Sequence, residues 1–120
     1  MATMTGNNLV CERLQAATQL EWFAPPQHAS LLLNGYYAYA PTVLAPRLVQ
    51  QLRDLALRAM GRPCHIMFKE SRRGQSVINI PTDVAEDPDF LIRLSGASFQ
   101  LPSAGIIARG AFITPVFERK

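Results

Sequence analysis

The hydrophobic period of this chain switches from helical to extended around Gly61, and that switch limits the folds open to it. Upstream, Leu48, Leu52, Leu55 and Ala59 recur at helical spacing, while Arg47, Gln50, Gln51, Asp54 and Arg58 occupy the other faces. Pro46 suits the first helical turn, where its missing N–H costs nothing, and Gly61 suits the left-handed residue that closes a helix. Downstream, Cys64, Ile66 and Phe68 alternate with His65, Met67 and Lys69. Ser71-Arg72-Arg73-Gly74 then offers a turn, and residues 75–80 return, which predicts a β-hairpin. A helix with one apolar face and a hairpin must each bury that face against another layer. The expected class is α+β, with about three helices packed on one face of a largely antiparallel sheet.

The other two helices are expected at 8–20 and 88–95. Val10, Leu14 and Ala17 share one face of the first, which Asn8 can cap and which must stop before Ala24-Pro25-Pro26. Asp87-Pro88-Asp89 starts the second with a capping carboxylate, a proline and an acid at the positive end of the helix dipole, and Gly96 ends it. Leu31-Leu32-Leu33, Asn34-Gly35 and residues 36–39 read as a short, tyrosine-rich hairpin. Residues 105–108 and 111–117 read as strands, with Pro115 confining the last to an edge or a bulge. Most of the sheet is therefore expected from segments after Cys64, and Leu52 and Leu55 are expected in the core.

A length of 120 residues with 48% hydrophobic and 18% charged side chains supports one core, so residues 1–120 are expected to form a single domain with a loose tail at 1–7. The start lacks the basic and apolar run of a secretory leader. Residues 22–46 carry no formal charge, but four prolines interrupt them, which argues against a membrane span. Two cysteines, Cys11 and Cys64, both in apolar-rich stretches, read as reduced thiols. A cytoplasmic protein with no membrane association is expected.

Charge is segregated within a net +3. Arg47, Arg53, Arg58, Arg62, Lys69, Arg72 and Arg73 face only Asp54 and Glu70 in their own region, whereas residues 83–89 hold four acids and no base. Such a layout can be satisfied within the molecule, between copies of it, or by a partner.

The chain offers little catalytic vocabulary. Residues 105–110 have the glycine spacing of a phosphate loop, but Ala111 and Phe112 stand where the lysine and hydroxyl residue are required. Cys64 and His65 are adjacent and point to opposite sides of a strand, and no cysteine or histidine pair has zinc-ligand spacing. A thiol dyad of Cys64 with His28, or of Cys11 with His65, has no supporting signature. The run 83–89 lacks the glycine and regular oxygen offsets of a calcium loop. No cofactor, no metal and no enzymatic activity are expected.

What remains is surface. The leading expectation is a small non-catalytic protein-binding module (adaptor, inhibitor or subunit of a larger assembly) that meets another protein or its own copy through Tyr36, Tyr37, Tyr39 and Phe112. Tyrosine suits such a place because its ring is apolar and its tip polar, and a strand edge can recruit a partner by adding to the sheet. The alternative is nucleic-acid binding through Lys69, Arg72 and Arg73 at the hairpin tip, with Arg47 and Arg58 on the helix.

Overall fold

The computed structural model describes residues 6–24, 35–97 and 99. The elements run α1 (Gly6–Thr18), β1 (Trp22–Phe23), β2 (Gly35–Pro41), α2 (Ala45–Met60), β3 (Met67–Arg72), β4 (Gln75–Pro81), α3 (Thr82–Ala85) and α4 (Pro88–Ser95). The strands form one antiparallel sheet in the order β1-β2-β4-β3. The fold is mixed α+β, as the switch in hydrophobic period requires.

Register separates the two faces of the sheet. Tyr36 pairs with Ile80, Ala38 with Ile78 and Ala40 with Ser76, so these six side chains share one face. Leu14 of α1, Leu48, Val49, Leu52 and Ala56 of α2, and Phe90, Leu91 and Leu94 of α4 join that face in one buried cluster. Ala38 and Ala40 are small enough to let the helix layer approach the backbone closely. Tyr37, Tyr39 and Val77 point the other way and form a second buried cluster with Phe23, in which the Phe23 and Tyr39 rings meet edge to face at 5.5 Å.

The clearest expectations hold. α2 and α4 lie where their stripes and caps place them, with Gly61 at φ +74° closing α2 and the Asp87 carboxylate accepting from the Phe90 N–H at 2.8 Å. Leu52 is fully buried, whereas Leu55 is only partly so. The hairpin 67–81 is present with a bulge between Glu70 and Arg72.

Four expectations change. Among the described residues the sheet does not come mainly from segments after Cys64, since β1 and β2 supply half its strands. α1 starts at Gly6, so residues 6 and 7 are helix rather than tail and Asn8 lies inside it. α1 also ends earlier, at Thr18: Gln19 takes a left-handed φ of +65°, and the Thr18 hydroxyl, which donates to the Leu14 carbonyl, accepts the Leu20 N–H just beyond the helix end. β3 begins at Met67 rather than at residue 64: the Ile66 N–H turns back to the Cys64 carbonyl, and the Arg53 Nε–H takes the Ile66 carbonyl at 2.8 Å. The expected strands at 31–33, 105–108 and 111–117, and with them Phe112, lie outside the described residues.

Candidate functional site: the groove between α1 and α4

The residues singled out by sequence divide among distinct environments. Tyr36 is a core residue on the helix-facing side, and its hydroxyl donates to Glu86 Oε2 at 2.6 Å. Burial first, and then that bond and the carboxylate's charge, push its pKa up. Tyr37 and Tyr39 lie on the opposite face, each only 5% exposed, and burial raises the Tyr37 pKa as well. A partner strand cannot simply add along this segment. β2 is an inner strand, paired with β4 along its whole length and with β1 at Tyr37 and Ala38. The tyrosines therefore do not form the exposed edge that their sequence implied.

The basic set is also dispersed. Arg47 and Arg58 are exposed on the outer side of α2, separated by about 16 Å of helix rise, with exposed Asp54 between them on the same stripe. Lys69 pairs in register with Val77, which places it on the sheet face opposite α2. Arg73 sits exposed at the hairpin turn, next to Gly74, whose carbonyl accepts from the Thr42 N–H at 2.9 Å. The turn and the start of α2 thus share one end of the molecule, which brings Arg73 toward Arg47 and leaves Lys69 and Arg58 elsewhere. Arg72 belongs to β3 through its backbone.

All four acids of the run 83–89 have structural partners. Asp83 pairs with Arg62 at 2.6 Å, Glu86 accepts from Tyr36, Asp87 caps α4, and Asp89 pairs with Arg93 at 3.2 Å. The Arg62–Asp83 bridge joins the basic and acidic regions within the molecule. No group of three or more His, Cys, Asp or Glu side chains converges on a common point among the described residues.

Both cysteines are free thiols. Burial pushes the Cys11 pKa up to about 11, and burial outweighs the lowering influence of Arg62 to raise that of Cys64. Cys64 donates to the Arg62 carbonyl at 3.4 Å. His65 is exposed in the segment before β3, and His28 lies outside the described residues. Thiols held in their protonated form are poor nucleophiles.

One concave surface stands apart from these residues. A groove of about 500 Å³ runs between α1 and α4, lined by Arg13, Ala16 and Ala17 of α1 and by Pro88, Leu91, Ile92 and Ser95 of α4. The α4 residues lie at i, i+3, i+4 and i+7, so a single helical stripe forms that whole wall. Leu91 is buried at its base, whereas Ile92 is 71% exposed. Leu9, 46% exposed, stands one turn before Arg13 on the same side of α1. Arg13 is the charged side chain of the lining and has no ion-pair partner among the described residues.

Sequence reading passed over this surface, although one signal was present. In 88–95 the buried set is Phe90, Leu91 and Leu94, and Ile92 falls off that stripe. A β-branched apolar residue on the polar side of a short helix is the mark that was available. No protein-family model, no curated protein and no solved structure matches the chain. No helix among the described residues is long and apolar enough to cross a membrane.

Proposed function

We propose that this chain is a non-catalytic protein-binding module of the cytoplasm, an adaptor or assembly subunit that holds its partner in the groove between α1 and α4. The observation that carries the reading is Ile92, a large apolar side chain left 71% exposed at the lip of a groove with an apolar floor. The lining mixes apolar Ala17, Leu91 and Ile92 with polar Arg13 and Ser95, so a partner there would meet both an apolar contact and polar groups. Among the described residues that line the groove, Arg13 is the one ionisable side chain. A chain of this size with two unbridged cysteines suits a compartment where thiols stay reduced.

The test compares three forms of the full chain as bait in the cell that makes it: wild type, Ile92→Asp and Val43→Asp. Val43 is 84% exposed and lies in the turn before α2, away from the groove. The same partner should be retained by wild type and by Val43→Asp and lost from Ile92→Asp. Capture unaffected by Ile92→Asp, or abolished by nuclease treatment, overturns the reading, the second outcome in favour of nucleic acid.

A further inference from the structure

Resting on that reading, we infer that the groove takes an amphipathic helix of the partner, with an acidic side chain beside its apolar ridge to meet Arg13. The two walls are themselves helices, so their backbone N–H and C=O groups are largely satisfied internally. The Ser95 hydroxyl is likewise engaged, donating to the Leu91 carbonyl at 2.8 Å. An extended peptide gains affinity from main-chain bonds to a sheet edge, and this trough has none to give. A helix brings its own backbone already bonded and presents a ridge of side chains that seats between two helices. Ala16, Ala17 and Ser95 keep the trough clear for such a ridge, while Leu91 and Ile92 give it apolar contact.

The charge of the trough selects the sign of the partner. Arg93 lies next to the lining, but its charge is met by Asp89 at 3.2 Å. Among the described residues Arg13 is left as the unmatched charge on the groove. Complementary charge on a rim contributes to orientation and discrimination more than to raw affinity. A carboxylate on the incoming helix is therefore favoured over an ammonium group.

Two synthetic helix-forming peptides with the same leucine ridge test this, one with glutamate and the other with lysine along the polar face. Fluorescence anisotropy against the full chain at low salt should show the glutamate peptide binding about tenfold tighter. Arg13→Glu should reverse the order, and Ile92→Asp should weaken both, with circular dichroism showing each variant folded. Equal binding of the two peptides, a preference that survives Arg13→Glu, or no binding of either at millimolar concentration overturns the inference. If Ile92→Asp still abolishes capture of the cellular partner while the peptide preference is absent, the occupant is wrong and the surface stands. If neither responds to Ile92→Asp, both fall.

Discussion

The indole Nε1–H of Trp22 donates to the Thr18 hydroxyl at 2.8 Å, and that hydroxyl donates in turn to the Leu14 carbonyl. Both residues are buried, so one oxygen ties the last turn of α1 to the first strand. The connection fixes where α1 lies over the sheet, and so sets one wall of the groove.

Replacing Thr18 with Val keeps the shape and removes that oxygen, leaving a buried indole N–H without a partner. The expected cost is about 1–3 kcal/mol. Chemical denaturation followed by Trp22 fluorescence measures it, and an unchanged midpoint would show that the bond carries no stability.

The α2 stripe makes a graded prediction. Leu52 is fully buried against the sheet, and Leu55 only partly. Leu52→Ala should destabilise by about 2–5 kcal/mol, and Leu55→Ala by clearly less. Thermal melts of the two variants would contradict this packing if their order were reversed.

How much was legible follows from the same residues. The α2 stripe, the Asp87 cap and the 75–80 return strand rest on local period and local turn chemistry, and these are what a single sequence expresses. The sheet order does not, because β2 pairs with β4 across some forty residues and nothing near Tyr36 names Ile80 as its partner. The pairing also depends on Gly35 at the start of β2, where a Cβ would collide with the Ile80 carbonyl. A strand over 36–39 puts Tyr36 on one face and Tyr37 and Tyr39 on the other, but its sequence does not say which face the helices cover. The groove was least legible, since it exists only once two helices far apart in sequence lie side by side.

Cys11 supplies a pH prediction. The native thiol keeps its proton to about 11, against an ordinary value of 9.0, so the folded state binds an extra proton between those limits. The stabilisation is fully present below about pH 9 and is lost as pH rises through about 11, with Tyr36 adding to the loss in the alkaline range. At pH 8, alkylation of native Cys11 should run about a hundredfold slower than in denaturant. Equal rates in the two states would show that the thiol is not held back.

The scattered arginines predict poor nucleic-acid binding. Affinity for random DNA or RNA should be weak and fall steeply with salt, and Arg47→Glu with Arg73→Glu should remove what there is without unfolding the chain. Submicromolar binding at physiological salt that this pair of changes abolishes would put the hairpin end ahead of the groove as the functional surface.

The groove itself is tested most directly by photo-crosslinking in the native cell from a benzoyl-phenylalanine placed at position 92, with the same residue at position 43 as the comparison. Both sites are exposed, so neither replacement disturbs the core. The account predicts one discrete protein adduct from position 92 and none from position 43. No adduct from position 92, or the same adduct from both positions, would contradict it.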